Sequence, residues 1–275
     1  MSLTQQQKKQ YAALLAEIYG LERVLVAFSG GVDSALLLYA AKRAVGESVL
    51  AVTFATPYSP EAETACAVEF ARTLGVRHML VGLPIPDDLR DNPPERCYLC
   101  KRTLFGELVR IAGEENIRHI LDGSNLDDLG DHRPGRRAAR ELGVRSPLLD
   151  AGLTKQDIRD LSLEYDLPTW NKPAGACLLT RLPHGTRVEE AELKRIDAGE
   201  SYLKGLGFAS VRLRSHGDVA RIELPSDDIA ACLESGARKL IDDRLKVLGY
   251  RHVAVDLAGY RVGSLNEPEA SGPKE

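Results

Sequence analysis

Short apolar runs alternate with stretches of helical periodicity through the first half of the chain. Four runs rich in β-branched residues predict strands: Arg23–Phe28, Ser48–Phe54, Arg77–Val81 and Arg118–Asp122. Helical patterns begin between them at Asp33, Pro60 and Lys101, and a fourth helix is predicted over residues 136–142. Strands and helices that alternate in this way are typical of an α/β fold with a doubly wound, mainly parallel sheet.

After the first half of the chain, the sequence predicts one more helix and then a loop. Thr154-x-x-Asp157 has the form of a helix-capping start, and Pro168 predicts that this helix ends before Leu167. Asn171–Gly185 holds two prolines, two glycines and a cysteine, so it is a linker or an active-site loop.

The remaining sequence predicts a smaller α+β domain. Thr186-x-x-Glu189 opens a long helix that ends near Gly205–Gly207. Two strands flank a Gly217-Asp218 turn, a helix follows from Ser226 to Leu248, and Tyr250–Leu257 is a last strand. The two flanking strands are Phe208–Ser215 and Val219–Leu224. We therefore expect one domain over residues 1–182, a second over 183–265, and a disordered tail over 266–275.

Composition and charge narrow the class of protein. The 275 residues include 36 Lys and Arg against 40 Asp and Glu, a net charge of −4 that argues against a nucleic acid partner. With 44% hydrophobic residues the chain can bury a large core. The longest apolar run, Ala35–Ala41, is far short of the roughly 20 residues of a membrane span, and the N-terminus has no apolar signal core. We expect a cytoplasmic protein that does not bind membranes.

A glycine-rich loop joins the first strand to the first helix of this region. Its sequence is Ser29-Gly30-Gly31-Val32-Asp33-Ser34. Two glycines allow the backbone to approach a ligand closely, and the free N–H groups at the helix start favour an anion. The loop suits a pyrophosphate, with Asp33 as a ligand for Mg²⁺. The alternative is a tight turn in which Asp33 only caps the helix.

Five cysteines suggest metal or catalytic chemistry. Cys97 and Cys100 have C-x-x-C spacing, and Cys177 lies in the loop between the domains. Three thiolates could hold a [4Fe–4S] cluster with one iron open, whereas a closed zinc site needs a fourth ligand. Two unpaired thiols are the alternative for the C-x-x-C pair. We expect Cys66 and Cys232 to pack within apolar helix faces.

Acidic residues follow the fourth strand, at the edge where open α/β sheets bind ligands. Asp127 or Asp128 is predicted to help bind Mg²⁺, and Ser124 and Asn125 to line the nucleotide. The alternative is a capped loop with solvated acids.

Arginines supply the candidate anion receptors. Arg212 and Arg214 are two apart on a predicted strand, so they share one face while Val211 and Leu213 point to the core. Two guanidinium groups on one face can bind a phosphate or a carboxylate, and exposed surface arginines are the alternative. A denser cluster either binds substrate phosphate or forms a solvated helix face. It consists of Arg133, Arg136, Arg137 and Arg140. His184 and His216 lie singly in loops and are not predicted as ligands.

These motifs carry a family resemblance. Ser29–Ser34 matches the PP-loop of the ATP pyrophosphatase superfamily, whose members cleave ATP between the α and β phosphates. Nearly the whole chain resembles the LarE family of ATP-dependent sulfur transferases, which build the nickel-pincer cofactor of lactate racemase. The matching segments are Ser29–Ser34, 92–101, 122–128 with Asp131 and 133–135, 172–177 and 211–223.

The resemblance implies a PP-loop fold of the adenine nucleotide α-hydrolase type and a specific reaction. Members adenylate the carboxylates of pyridinium-3,5-biscarboxylic acid mononucleotide and convert them to thiocarboxylates. In one branch the cysteine at the position of Cys177 gives up its sulfur and becomes dehydroalanine. In the other, three cysteines hold a [4Fe–4S] cluster that presents an extra sulfide. The presence of Cys97 and Cys100 beside Cys177 favours the cluster branch.

The resemblance also assigns roles to further residues. It assigns Arg181, Arg212 and Arg214 to substrate phosphate and Glu200 to a catalytic acid. It implies ATP and Mg²⁺ as cofactors, a small anionic nucleotide-like substrate, a homo-oligomer, and transfer of the product to other proteins of pincer-cofactor synthesis. Two rival functions are a PP-loop tRNA thiolase and a sensor that binds a nucleotide without chemistry.

Overall fold

The computed structural model describes residues 3–129, 135–173 and 175–260. Asp131, Arg133 and the tail predicted over 266–275 lie outside the described residues. The chain divides into two compact units, one of Met1–Leu89 with Pro93–Gly175 and one of Arg90–Asn92 with Ala176–Glu275. The units thus change at residue 175, whereas the domain boundary predicted from the sequence lies at residue 182; that boundary stays a prediction.

A four-stranded parallel sheet forms the first unit, which confirms the α/β fold. Its strand order is β3-β2-β1-β4. The strands are β1 Val24–Ala27, β2 Val49–Ala55, β3 Arg77–Gly82 and β4 His119–Leu121. Each predicted strand is found, within one or two residues at most ends.

Seven helices cover this sheet within the described residues. They are α1 Gln5–Tyr19, α2 Val32–Val45, α3 Glu61–Thr73, α4 Arg96–Glu114, α5 Gly135–Glu141, α6 Pro147–Asp150 and α7 Lys155–Glu164. Helix α1 was not predicted. The predicted start of α4 at Lys101 is wrong: the helix begins at Arg96, with Glu95 as its N-cap after Pro93 and Pro94. A proline disfavours helical conformation in the residue before it, so the helix starts as soon as the prolines end.

Helix α2 is the centre of the first core because it is apolar on most sides. Its residues Leu36, Leu37 and Leu38 are fully buried, and α1 and α7 pack against it. A helix that is hydrophobic all round must be buried by its neighbours. The predicted capping start of α7 is confirmed, because Thr154 and Asp157 form a reciprocal capping box. Residues of α2 and α7 belong to the same core cluster.

The second unit contains a small mixed sheet, in agreement with the predicted α+β class. Strands β5 Arg212–His216 and β6 Val219–Glu223 form an antiparallel hairpin, and β7 His252–Val255 runs parallel to β6. The hairpin turns at Gly217, whose φ of 64° favours glycine. Three helices accompany this sheet: α8 Glu190–Gly205, α9 Ser226–Leu233 and α10 Ser235–Val247.

Two helix predictions for this unit are wrong. Helix α8 begins at Glu190 rather than after Thr186, because the Val188 N–H donates to the carbonyl of Arg90 and holds the preceding residues outside the helix. The single helix predicted from Ser226 to Leu248 is two helices, because Glu234 has an extended backbone with ψ of 144°. The described part of the chain has no helix of the length and apolarity that crossing a membrane requires.

The two cysteines that were expected to pack within helices differ in their exposure to solvent. Cys232 is buried, and burial raises the pKa of its thiol. Cys66 is exposed, so its predicted packing role is wrong. The buried face of α3 carries Ala67, Phe70 and Ala71, and Cys66 lies on its other side.

His78 on β3 joins the sheet to the loop that follows β1. Thr53 Oγ1 donates to the Phe28 carbonyl at 2.6 Å, so His78 Nε2 donates its proton to Thr53 Oγ1 at 2.8 Å. The Phe28 ring meets the imidazole edge-on. Burial lowers the pKa of His78, because a charged imidazole is poorly solvated there.

We expect this depressed pKa to make stability fall in mild acid. The unfolded chain takes up a proton at His78 near pH 6.5 while the folded chain resists it, so the free energy of unfolding declines as pH falls below about 6.5. His78→Gln keeps a donor to Thr53 without a titrating group and should flatten this decline. Urea unfolding at pH 7 and pH 5.5 measures it, with His252→Gln, at an exposed position, as the control. Equal pH dependence in wild type and His78→Gln would contradict the assignment.

Candidate functional site

Hydrogen bonds from its own serine hydroxyl groups stabilise the loop Ser29–Ser34 at the N-terminus of α2. Ser34 Oγ donates to the Gly31 carbonyl at 3.1 Å, so Ser29 Oγ donates to Ser34 Oγ at 3.1 Å. Gly30 has φ of 75°, and a Cβ atom there would lie 2.9 Å from the Ala67 Cβ atom. The loop therefore needs glycine at this position for its backbone angle and for its approach to α3.

Asp33 is not the cap of α2, so the alternative reading of a capped turn is wrong. Gly31 occupies the N-cap position and Asp33 lies in the first turn. The Asp33 carboxylate forms a short contact with the Lys155 ammonium and accepts a hydrogen bond from Asn125 Nδ2 at 3.2 Å. Asp33 thus connects α2 to α7 and to the segment after β4.

The segment after β4 lies directly against the loop. A Cβ atom at Gly123 would be 3.0 Å from the Ser34 amide nitrogen, so this position also requires a small residue. The Asp122 carboxylate accepts hydrogen bonds from Ser124 Oγ at 2.7 Å and from Ser146 Oγ at 2.6 Å. The Ser124 hydroxyl is therefore engaged with Asp122.

Asn125 organises the two acids that were predicted to bind magnesium. Its backbone N–H donates to Asp128 Oδ2 at 3.0 Å, and its side-chain oxygen accepts from the Asp127 N–H at 3.0 Å. The Asp127 carboxylate in turn caps α7 by accepting from the Lys155 N–H at 2.8 Å. Asp128 is buried and shares Asn125 with Asp33, whereas Asp127 is exposed and has a capping role.

A magnesium ion fits the donors found here. Asp33 and Asp128 supply the carboxylate oxygens that Mg²⁺ prefers, and both contact Asn125. The Lys155 ammonium already shows that the Asp33 carboxylate attracts a cation. With the free N–H groups of α2, the arrangement provides both a place for phosphate and a carboxylate for its counter-ion.

Lys172 is a second cation at the loop, and the sequence motif gave it no role. Its ammonium donates to the Gly30 carbonyl at 3.0 Å and pairs with Glu63 of α3 at 2.5 Å. Arg159 of α7 fixes the backbone around it, donating to the carbonyls of Trp170 at 2.8 Å and Lys172 at 2.9 Å. The segment that carries Lys172 is thus tied to both α7 and the loop.

The three candidate sulfur residues are divided between the units. Cys97 and Cys100 lie in the first turns of α4 in the first unit, where Cys97 is exposed and the Cys100 thiol donates to the Tyr58 hydroxyl at 3.5 Å. Cys177 belongs to the second unit and is half-buried. Among residues 3–129, 135–173 and 175–260, no three His, Cys, Asp or Glu side chains gather as metal ligands. The thiols suit iron by their chemistry, and the cluster stays a prediction.

Cys177 begins a short 3₁₀ turn in which its backbone is tightly held. Its carbonyl accepts hydrogen bonds from the Thr180 N–H at 3.1 Å, from Thr180 Oγ1 at 2.8 Å and from Arg181 Nη1 at 3.4 Å. The turn spans Leu178–Arg181 within the segment predicted to be a linker or an active-site loop. The backbone that carries the thiol is therefore fixed.

Arg181 and Glu200 form a buried ion pair in the second unit. Their side chains are 3% and 1% exposed, and the guanidinium contacts both carboxylate oxygens, at 2.7 Å and 3.1 Å. Glu200 also accepts a hydrogen bond from the Leu213 N–H of β5 at 3.0 Å. Two predicted site residues therefore meet, and hydrogen bonds from Arg181 and from the Leu213 N–H orient the Glu200 side chain.

Arg212 and Arg214 are buried, so the alternative of exposed surface arginines is wrong. Arg214 pairs with Glu223 at 2.8 Å and makes a short contact with the Thr180 carbonyl. Arg212 donates to the Val211 carbonyl at 3.0 Å and lies 5.0 Å from the Tyr260 ring centre. Val211 and Leu213 point to the core as predicted.

The basic cluster on α5 does not form one surface. Arg136 Nη1 is 3.5 Å from the Asp128 carbonyl oxygen, whereas Arg137 stacks 3.5 Å from the Tyr98 ring centre and pairs with Glu141. Arg140 is exposed. Arg136 is thus the described member of this cluster that contacts the acidic segment.

His216, in the second unit, was not predicted as a ligand. Burial and nearby arginines lower the pKa of this histidine.

A cavity of about 780 Å³ opens at the carboxyl ends of β2 and β3. Its α3 residues include Ala65, Val68 and Glu69, which lie on the opposite side of that helix from Glu63 and Ala67. Because Glu63 and Ala67 face the loop, α3 separates this cavity from the loop Ser29–Ser34.

Sequence comparison supports this account of the loop. Residues 23–93 match the family model of the queuosine biosynthesis protein QueC. A protein of Synechocystis sp. without an assigned function is 37% identical over 92% of this chain and 95% of its own length. One of Methanocaldococcus jannaschii, also uncharacterized, is 31% identical over 90% of this chain and 94% of its own length.

The decisive relative has a named activity. The pyridinium-3,5-bisthiocarboxylic acid mononucleotide synthase of Lactiplantibacillus plantarum is 37% identical to this chain, over 93% of both sequences. The chain belongs to the LarE-type family of PP-loop ATP pyrophosphatases. This family membership confirms the resemblance of the sequence motifs and the use of ATP. Lys155, Lys172, Glu63 and Arg159 are the contacts around the LarE-type loop that sequence reasoning missed.

We expect Arg159 to position Lys172 at the PP-loop. Arg159→Met removes both hydrogen bonds to the 170–172 backbone, so amide exchange at Trp170 and Lys172 should rise at least about tenfold and ATP binding should weaken several-fold. Arg159→Lys cannot reach both carbonyls and should recover only part of the loss. Hydrogen exchange and calorimetry with ATP measure these effects. The matched control is Arg72→Met, which removes an exposed arginine of α3, and unchanged exchange in Arg159→Met would refute the role.

Proposed function

We propose that this chain is an ATP-dependent sulfur transferase that converts the carboxylates of pyridinium-3,5-biscarboxylic acid mononucleotide to thiocarboxylates. The observation that carries the proposal is the similarity to the Lactiplantibacillus synthase over nearly the full length of both chains. The loop Ser29–Ser34, with Asp33, Lys155 and Lys172 around it, supports the proposal, because adenylation needs both anion and cation sites around ATP.

In this proposal the first unit activates the carboxylate. The loop residues Ser29–Ser34 and the start of α2 bind the phosphates of ATP, with Ser124 and Asn125 beside the nucleotide. A magnesium ion on Asp33 and Asp128 would neutralise phosphate charge. Lys172 and Lys155 stabilise the negative charge that develops as pyrophosphate leaves. The substrate carboxylate attacks the α-phosphate, and AMP becomes the leaving group for the sulfur step.

Arginines of the second unit bind the substrate phosphate in this proposal. Arg181, Arg212 and Arg214 are held by acidic or carbonyl partners, so their guanidinium groups are ordered before an anion arrives. Glu200 has the role of a site acid, and its two hydrogen-bond partners orient it. Product transfer to other proteins of pincer-cofactor synthesis and assembly into a homo-oligomer belong to the same proposal.

Two sulfur sources fit the cysteines, and we propose the cluster route first. Cys97, Cys100 and Cys177 would hold a [4Fe–4S] cluster, which would supply a sulfide to the acyl-adenylate. In the alternative, the Cys177 thiolate attacks the acyl-adenylate, a base removes its Cα proton, and the Cβ–S bond breaks to leave dehydroalanine and the thiocarboxylate. The fixed backbone of Cys177 is compatible with both routes.

Cys177→Ala should abolish sulfur transfer and leave adenylation intact. Both routes need the thiol, whereas attack of the carboxylate on ATP does not. We expect pyrophosphate release with the pyridinium precursor at the wild-type initial rate and no thiocarboxylate by mass spectrometry. Cys66→Ala, at an exposed cysteine of α3, is the matched control and should behave as wild type. Thiocarboxylate from Cys177→Ala would disprove the sulfur assignment.

An anaerobic preparation separates the two routes. The cluster route predicts bound iron and acid-labile sulfide, both lost in Cys97→Ser and Cys100→Ser, and an intact Cys177 after turnover. Iron-free protein whose Cys177 peptide loses the mass of hydrogen sulfide during one turnover would overturn the cluster in favour of the sacrificial route.

The rival functions make different predictions. A tRNA thiolase would restore thiolated tRNA in a strain lacking this gene and would release no pyrophosphate with the pyridinium precursor. A nucleotide sensor would bind ATP without releasing pyrophosphate with any carboxylate. Pyrophosphate release that depends on the precursor excludes both.

A further inference from the structure

Helix α10 of the second unit presents an apolar stripe to solvent. Leu240 and Val247 are 52% and 76% exposed although they are large and hydrophobic. The two residues are seven positions apart and thus lie on one side of the helix. The core side of α10 carries Ile241 and Leu245, which are buried. The stripe is therefore additional to the face that α10 uses in its own fold.

The neighbouring helix widens this stripe. Tyr202 of α8 is half-buried, and its hydroxyl donates to the Leu240 carbonyl at 3.4 Å. Leu206, the C-cap residue of α8, is 36% exposed. We call Tyr202, Leu206, Leu240 and Val247 the α8–α10 face. A two-helix apolar surface of this kind is a candidate for a protein interface.

Two opposite charges lie between the apolar residues of the stripe. Asp243 and Arg244 fall on the same side of α10 as Leu240 and Val247 and are exposed. Within the described residues, the Asp243 carboxylate forms no hydrogen bond or ion pair, whereas Asp242 pairs with Lys246. The Arg244 guanidinium lies over the Tyr202 ring at 5.8 Å and has no carboxylate partner in the described chain.

This order of residues is complementary to itself. If two copies of α10 lie antiparallel about a two-fold axis between residues 243 and 244, Leu240 of each copy meets Val247 of the other. Asp243 of each copy then meets Arg244 of the other, which gives two symmetric ion pairs between two apolar layers. A closed two-fold interface requires a surface that matches its own rotated copy.

We propose that the α8–α10 face binds a second copy of this chain through antiparallel pairing of α10. The charge order Asp243-Arg244 specifies the antiparallel register, because a parallel pair would place like charges together. The proposal does not depend on the sulfur chemistry, and it gives the expected homo-oligomer a defined interface. The apolar area is modest, so the contact is expected at micromolar concentrations or as one of several contacts in a larger assembly.

Charge reversal of the full-length protein tests the register. Asp243→Arg and Arg244→Asp each place like charges opposite one another and should weaken association at least about tenfold, measured by sedimentation and light scattering. The double variant D243R/R244D restores opposite pairs across the axis and should recover association. Leu240→Glu should abolish it.

Controls separate this result from unfolding and from general charge effects. Lys239 is exposed and points about 100° away from Leu240 around the helix, so Lys239→Glu is the matched control and should leave association unchanged. Circular dichroism melts check that each variant folds. A wild-type mass of a single chain, or single reversals that leave an assembled mass unchanged, would overturn the proposal. So would a double variant that stays dissociated.

Discussion

The contact between Asp33 and Lys155 organises the first unit around its loop. A loop built to bind phosphate carries its own carboxylate at the start of α2, where the helix dipole favours a negative charge. That carboxylate would repel phosphate unless a cation neutralised it. Lys155 supplies the cation from the first position of α7, which a capping box holds rigid. This ion pair therefore links α2 to α7, and the hydrogen bond from Asn125 to the same carboxylate links both to the segment after β4.

The sequence alone was sufficient for the features that depend on local physics. Strand runs, the glycine loop and the Thr154 capping box rest on residues that are neighbours in the chain, and all were found. The breaks at Pro94 and Glu234 also depend on local backbone angles, yet only the proline leaves a mark in the sequence. Glu234 is a good helix former, so the break between α9 and α10 could not be predicted from its helix propensity.

The missed site residues show where sequence reasoning stops. Lys155 and Lys172 reach the loop from more than 120 positions away, and their residue type is common on any solvated helix or loop. Their role depends on the fold that places α7 and the 170–172 segment beside Gly30. The dipeptide Lys172-Pro173 in a loop was a signal for a binding residue. The proline restricts the backbone beside the lysine, so less conformational entropy is lost when the lysine binds a ligand. Lys155 itself had no comparable signal in the sequence.

In the proposed function, the buried ion pairs of the second unit order two arginines before an anion binds. Arg181 and Glu200 form a buried ion pair. In many proteins the free energy of desolvating two such charges exceeds the free energy gained from their attraction, so the pair alone is weak evidence for added stability. Here the guanidinium uses one edge for Glu200 and turns the other towards the Cys177 carbonyl and Thr180. A charge fixed in this way needs no reorganisation when substrate arrives. Arg214 and Glu223 form a second pair of this kind in the same unit, so both arginines of the proposed anion site are held in place by a carboxylate.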